Sequence, residues 1–333
     1  MIIDENCGNK RKSMKLKSLI KILLSVAMLA LVWSTVDFAK LQVILAELPI
    51  HVIVLIFVGY LATQLLSSFK WWLIAKNGGI DVPYLSALKS YFIGMFVNCF
   101  GFGMVGGDVT RGILLSQGKP QKTPAIASVF ADRLHGLAVL SLLCMISFIF
   151  ISKDNINPSL KILLGAIVLG VIAGWFVGPY ILLKIIPKTS KFRRKAEQLC
   201  HVFPNSPRFL LLISLVSLVF HCSQIALHWL MGMAFGINLD WTVLLVVVPI
   251  VNILSSLPIS WNGLGVREKA YASFLTPAVL SQEQAVAFGA IWLLAVTLSS
   301  AVGGMVSLIT KDFEVISKIE ESPEYSSLEK ENA

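Results

Sequence analysis

Long runs of hydrophobic residues, separated by short polar segments, recur along most of the chain. Each run reaches the roughly 18 residues that a helix needs to cross the hydrocarbon layer of a bilayer. The pattern predicts six full spans, near residues 19–36, 50–69, 124–151, 160–184, 209–235 and 285–310. The predicted fold class is therefore an all-α polytopic membrane protein.

Two further apolar stretches are interrupted in their middle. Residues 88–115 contain a group of glycines shortly before Arg111, and residues 242–280 contain Pro258 and two glycines shortly before Arg267. Glycine and proline both disfavour a continuous helix. Each stretch is therefore either a broken span or a hairpin that enters the bilayer and returns to the same side.

The distribution of Lys and Arg decides between these alternatives, because cytoplasmic loops retain basic residues. If both stretches are re-entrant and the N-terminus is cytoplasmic, most of the 28 Lys and Arg residues lie in cytoplasmic segments, including Lys70 in a loop after the second span. If residues 88–115 were one span, the basic segment around Lys191 would move outside. We therefore expect re-entrant hairpins, cytoplasmic N- and C-termini and a location in the plasma (inner) membrane. The external segments then hold Lys40, Lys153 and Lys161.

This topology repeats the series span, span, hairpin, span, entered from opposite sides of the membrane. Such an inverted repeat places a transporter's substrate site near the midplane, where discontinuous helices meet. The predicted organisation is a basic cytoplasmic N-terminus (1–18), a first membrane repeat (19–151), a second membrane repeat (152–310) with a basic connector (185–208), and an acidic cytoplasmic tail (311–333).

Composition excludes several classes of protein. With 56% hydrophobic and 14% charged residues, the chain cannot present a soluble surface. We therefore expect neither a soluble enzyme nor a nucleic-acid partner, even though the net charge is +9. The five cysteines are odd in number and scattered, so neither a disulfide framework nor a metal cluster is predicted. No cofactor is expected.

Several charged residues fall inside the predicted membrane region, where ionisable side chains are costly and usually functional. Arginine suits bidentate recognition of phosphate, and a helix that begins after a glycine turn presents backbone N–H groups to the same anion. The pattern favours a site for an anionic, phosphate-bearing lipid headgroup. The charged candidates are Asp108, Arg111, Asp132, Arg133, Arg267, Glu268 and Lys269, and the glycine candidates are Gly106, Gly107, Gly263 and Gly265.

Other interpretations of these charges stay open. Asp108 with Arg111, and Arg267 with Glu268, are candidate structural ion pairs that hold the hairpins in shape. His135 lies one helical turn after Asp132, and its near-neutral reference pKa makes it a candidate proton carrier. An enzyme that acts on polyprenyl-phosphate or a glycolipid, with Asp132 and His135 as acid and base, is an alternative, although the sequence offers no convincing nucleophile.

Three segments, Gly106–Arg111, Ala127–Gly136 and Leu257–Glu268, carry a family resemblance. They resemble the lysylphosphatidylglycerol synthase transmembrane family, also called flippase-like membrane proteins, and the likeness extends over residues 15–312. The residues that match the family pattern are Arg111, Asp132, Arg133, Asn262, Gly263, Gly265, Arg267 and Glu268.

The resemblance implies lipid translocation. In bifunctional members the membrane domain moves aminoacylated phosphatidylglycerol between leaflets, and a separate soluble domain transfers the amino acid from tRNA. Only 23 residues follow Thr310, so the transferase activity is not expected. Stand-alone relatives are connected with isoprenoid-linked sugars. The expected partners are membrane lipids with an anionic headgroup or an isoprenoid phosphate, and an accessory role beside a cell-envelope synthase is a further alternative. Cargo, direction and oligomeric state stay open.

Overall fold

The computed structural model describes residues 37–310 apart from 102, 117–121, 151–157, 191, 205, 238, 257–259, 261–262 and 276–279. The described residues are helical, with no strand among them. The predicted first span, the N-terminal segment, the acidic tail and Asn262 lie outside the described residues. An all-α architecture is therefore confirmed for the part of the chain that can be compared.

The described part of the chain contains eleven helices. They are α1 (Phe38–Glu47), α2 (Ile50–Asn77), α3 (Tyr84–Phe100), α4 (Gly103–Leu115), α5 (Lys122–Phe150), α6 (Pro158–Ile185), α7 (Arg193–Val202), α8 (Pro207–Ala234), α9 (Trp241–Ser255), α10 (Val266–Leu275) and α11 (Gln282–Thr310).

Four helices, α2, α5, α8 and α11, are long and apolar enough to cross a membrane. They correspond to the predicted spans at 50–69, 124–151, 209–235 and 285–310. The predicted span at 160–184 corresponds to α6. The protein is therefore a multi-pass membrane protein.

The boundary predicted for the second span was wrong. Helix α2 does not end at residue 69 but continues to Asn77, so Lys70 lies within it rather than in a cytoplasmic loop. The Lys70 side chain is buried and ion-paired, so its charge does not need water. The helix ends where the Gly78 N–H donates to the Ile74 carbonyl and Gly79 adopts a positive φ of 85°.

The helical breaks predicted in the two irregular stretches are confirmed. Helix α3 ends at Phe100 and α4 begins at Gly103, while α9 ends at Ser255 and α10 begins at Val266. Whether either stretch re-enters on the same side, and whether the halves form an inverted repeat, stay predictions.

The chain divides into two compact units. The first contains α1, α10 and α11, together with α3 from Phe92 onward and α4 up to Thr110. In this unit α11 packs against α1 and α10, and Val286 contacts Leu41 and Ala272. Helix α11 also lies close to the backbone of α3. A Cβ at Gly303 would overlap the Phe92 carbonyl group, so glycine at this position permits the close approach.

The second unit contains α2, α5, α6, α7 and α8, with most of α9 and the adjoining parts of α3 and α4. Helices α2 and α8 pack together, and a side chain at Gly59 would overlap Leu227. Helix α5 contacts α2, α6, α7 and α8, so its inward face is buried on several sides. This packing places Lys70 of α2 and Asp132 of α5 in the protein interior.

Candidate functional site

Asp132 is the centre of a buried charged cluster in the second unit. Its Oδ1 lies 3.1 Å from Lys70 Nζ, and its Oδ2 lies 3.2 Å from Arg111 Nη2. All three side chains are almost fully buried. Since an isolated charge is costly in an apolar interior, the carboxylate and the two cations stabilise one another and connect α2, α4 and α5.

Aromatic side chains hold the Arg111 guanidinium in place. Its Cζ lies 4.8 Å from the centre of the Trp71 ring and 5.2 Å from that of Tyr91, within the range of cation–π attraction. The Trp71 indole N–H donates to Ser128 Oγ at 3.0 Å, and the Tyr91 hydroxyl donates to Ser67 Oγ at 2.8 Å. Arg111 is therefore engaged by Asp132 and by two anchored rings; its predicted role as a phosphate ligand stays a prediction.

Sequence reasoning missed Lys70 as a site residue. It placed Lys70 at the start of a loop because the residue follows a long apolar run. The signal that could have found it is the segment 71–75, Trp-Trp-Leu-Ile-Ala, which continues the apolar pattern past the lysine. A lysine that has apolar residues before and after it within a span requires a polar or charged partner inside the protein.

His135 lies on the same face of α5 as Asp132 but has different contacts. Its Nε2 lies 3.1 Å from Ser214 Oγ of α8, and its ring packs against Trp175 with centroids 5.5 Å apart. These contacts join α5 to α6 and α8. The proposed role of His135 as a proton carrier stays a prediction.

The start of α10, in the first unit, is organised by Glu268. The Gly265 N–H donates to Glu268 Oε2 at 2.7 Å, and the Gly265 carbonyl accepts from the Lys269 N–H at 3.1 Å. Gly265 is thus the residue that caps the helix, and Glu268 reaches back to its backbone as in a capping box. Glu268 therefore has a structural role as well as its predicted place in the site.

Two glycines shape the turn that leads into α10. Gly263 and Gly265 have φ values of 76° and 79°, in the left-handed region that other residues rarely adopt. A Cβ on Gly263 would lie 3.4 Å from Arg267 Nη2, so the Arg267 guanidinium lies against this turn. Gly263 and Arg267 are therefore neighbours at the start of α10, and their predicted part in a substrate site stays a prediction.

Arg267 has hydrogen-bond donors that the described chain does not use. Only 7% of the residue is exposed, and its Nε and Nη1 have no hydrogen-bond partner among the described residues. Buried polar groups in folded proteins are nearly always hydrogen-bonded, so this arrangement calls for an acceptor. An anion bound at the start of α10 would supply one.

The remaining predicted residues have varied positions. Gly107 is required for packing, because a Cβ there would overlap the Gly94 carbonyl of α3. The Gly106 carbonyl accepts from Thr110 Oγ1 at 2.8 Å, and Asp108 is half-buried. Arg133 and Lys269 differ from the others in being exposed.

In the part of the chain that the structure describes, no group of three His, Cys, Asp or Glu side chains is arranged to hold a metal ion.

The chain's similarity to known proteins is at the family level. A family model described as the lysylphosphatidylglycerol synthase TM region matches residues 18–303. No curated protein matches the chain.

Proposed function

This chain belongs to the lysylphosphatidylglycerol synthase transmembrane family, and from that premise we propose that it moves phosphate-bearing lipids between the leaflets of the membrane. The proposed cargo is an anionic phospholipid or an isoprenoid-phosphate-linked lipid. Both present a phosphate ester at the membrane interface, so one recognition chemistry serves either.

The proposal rests mainly on the buried Arg267 side chain and its unused hydrogen-bond donors. Its guanidinium is buried in a membrane protein, and two of its nitrogens have no acceptor among the described residues. Arginine presents several N–H donors in a rigid plane that matches two phosphate oxygens at once. A phosphate therefore satisfies the donors and the charge together.

The local backbone supports an anion at the same place. Arg267 is in the first turn of α10, where the partial positive charge of the helix is concentrated. The glycine turn at Gly263 keeps side-chain bulk away from the guanidinium. Only the headgroup needs this polar environment, so the acyl chains can stay in lipid while the headgroup crosses.

The test is leaflet exchange of a labelled anionic lipid in vesicles that contain the purified protein. We expect Arg267→Gln to slow exchange by about tenfold or more, because a lost hydrogen bond to a charged group is worth about 1.5–3 kcal/mol. Arg267→Lys keeps the charge but loses the planar fork, so its rate should be intermediate. Mass spectrometry of the recovered lipid separates relocation from covalent change.

Arg194→Gln is the matched control, since Arg194 is an exposed arginine of α7 and its loss should leave exchange unchanged. Folding of each variant is checked by size-exclusion chromatography and thermal unfolding. A folded Arg267→Gln protein with full exchange would remove the assigned role. Wild-type vesicles that exchange lipid no faster than protein-free vesicles would remove the proposed function itself.

A further inference from the structure

A narrow crevice lies between α2 and α8. All its lining residues belong to the second unit, and none of them is part of α10 or of the turn before it. Its apolar lining residues are only half-buried, whereas Lys70 and Ser217 are buried. The residues that line it are Leu66, Ser67, Lys70, Val216, Ser217 and Phe220.

Lys70 supplies the cationic group of the crevice. Its ammonium group contacts Asp132 twice, at Oδ1 (3.1 Å) and at the backbone carbonyl (3.2 Å). An ammonium group carries three N–H donors. The two contacts with Asp132 therefore occupy at most two of these three donors.

Ser217 supplies the second donor of the crevice. Only 1% of the residue is exposed, and its hydroxyl has no hydrogen-bond partner within the described chain. Some buried serines bond to a carbonyl of their own helix, as Ser147 does to Leu143, whereas Ser141, Ser255, Ser260, Ser299 and Ser307 share with Ser217 the lack of a partner among the described residues. Ser217 differs from those five in lining the crevice. A buried hydroxyl without a partner is costly, so the Ser217 hydroxyl is set for an external acceptor.

The described residues that line the crevice include no carboxylate, so the charged group that faces it is a cation. Lys70 and Ser217, the buried residues of the lining, carry N–H and O–H donors that suit an anionic oxygen. The half-buried rim of Leu66, Val216 and Phe220 suits hydrocarbon. These two features together match a lipid phosphate better than a fully hydrated anion, because an apolar rim offers no hydrogen bonds to replace the water that a hydrated anion would lose there.

We propose that this crevice binds a phosphate oxygen of a membrane lipid, with Lys70 and Ser217 as donors and the acyl chains against the apolar rim. The identity of the ligand as a lipid rests on the proposed function. The binding position itself does not include Arg267. It therefore adds a second anion-binding position, which the sequence did not indicate.

Ser217→Ala is the decisive variant, because the Ser217 hydroxyl makes no hydrogen bond within the described chain that the change could break. The probes are short-chain phosphatidylglycerol, the matching uncharged diacylglycerol and inorganic phosphate, each added to the detergent-solubilised protein. Ligand affinity is read from the concentration dependence of the thermal unfolding temperature. We expect a fivefold or greater loss of phosphatidylglycerol affinity, with no loss of stability in the ligand-free protein.

Ser147→Ala is the matched control, a buried serine of α5 whose hydroxyl bonds within its own helix. It should leave phosphatidylglycerol affinity unchanged. Lys70→Met tests the second donor, and Lys76→Met, an exposed lysine of the same helix, is its control. If Lys70→Met does not fold, Ser217→Ala still decides the question.

Equal phosphatidylglycerol affinity in wild type and Ser217→Ala overturns the site. Equal stabilisation of the wild type by inorganic phosphate and by phosphatidylglycerol overturns the lipid assignment, and equal stabilisation by diacylglycerol overturns the phosphate contact. Leaflet exchange separates this proposal from the proposed function. If lipid binding depends on Ser217 but the protein exchanges no lipid, the crevice site is retained and translocation is rejected. If exchange depends on Arg267 but lipid binding does not depend on Ser217, translocation is retained and the crevice site is rejected.

Discussion

Lys70 of α2 and Asp132 of α5, 62 residues apart in the chain, form a buried ion pair with a separation of 3.1 Å between Nζ and Oδ1. Arg111 of α4 contacts the other oxygen of the same carboxylate at 3.2 Å. One carboxylate therefore joins three helices of the second unit. Removing any member leaves a charge inside the protein with fewer partners, which is more costly than losing an exposed ion pair.

We expect Lys70→Met to lower the free energy of unfolding, but by less than the about 3–5 kcal/mol that leaving a buried charge unpaired costs, because Arg111 still pairs with Asp132. Methionine fills a similar volume, so the loss reports the charge rather than a cavity. The measurement is unfolding in mixed micelles with increasing denaturant. Lys76→Met, which changes an exposed lysine on the same helix whose Nζ lies 5.1 Å from the centre of the Trp72 ring, should shift stability by no more than about 1 kcal/mol, the range of an exposed cation–π contact. Equal losses for the two variants would show that the pair with Asp132 is not stabilising.

Much of the fold follows from hydrophobic length alone. An apolar run long enough to cross a bilayer has few alternatives to a helix, since every backbone polar group must be satisfied within the segment. The helices α2, α5, α6, α8 and α11 were predicted for this reason, and four of them, α2, α5, α8 and α11, are long and apolar enough to cross a membrane. The end of α2 was not, because a lysine at position 70 gives the same local signal whether it meets water or a buried carboxylate.

The candidate site was predictable in part. The glycines at 263 and 265 and the arginine at 267 are close in sequence, so their association at one turn could be inferred from spacing. The contact of Lys70 with Asp132 depends on how α2 packs against α5, and a single sequence carries no record of that packing. The same applies to Ser217, whose burial in the crevice is a property of the folded helices.

The turn before α10 should be sensitive to any side chain. Gly263 and Gly265 have positive φ values, and an L-residue in that region costs about 1–2 kcal/mol. We expect Gly265→Ala and Gly263→Ala each to lower the thermal unfolding temperature. The control is Gly174→Ala, where the added Cβ meets open space in a helix and should be neutral or slightly stabilising. If Gly265→Ala were as stable as Gly174→Ala, the left-handed turn would not be required.

The capping and charge roles of Glu268 can be separated. Glutamine can accept the Gly265 N–H as glutamate does, so Glu268→Gln should leave stability nearly unchanged. Glu268→Ala loses the cap and should cost about 1 kcal/mol. Thermal unfolding measures both variants, and leaflet exchange is then measured on Glu268→Gln. A large loss of stability in Glu268→Gln would contradict the capping role, and a loss of exchange alone would assign function to the charge.

The close contact between α11 and α3 predicts that replacing Gly303 by alanine lowers stability, although helix propensity alone would favour alanine. Alanine is normally favoured over glycine within a helix by about 0.5–1 kcal/mol, but a Cβ at Gly303 would overlap the Phe92 carbonyl oxygen. Overpacking of a close backbone contact costs about 1–3 kcal/mol and cannot be relieved by a side-chain rotation, because the obstacle is backbone. We therefore expect Gly303→Ala to be destabilising, and Gly170→Ala, where nothing lies near the added Cβ, to be neutral or stabilising. Thermal unfolding of the two variants under the same detergent conditions tests the sign. A Gly303→Ala protein as stable as Gly170→Ala would mean that α11 and α3 are not in close contact.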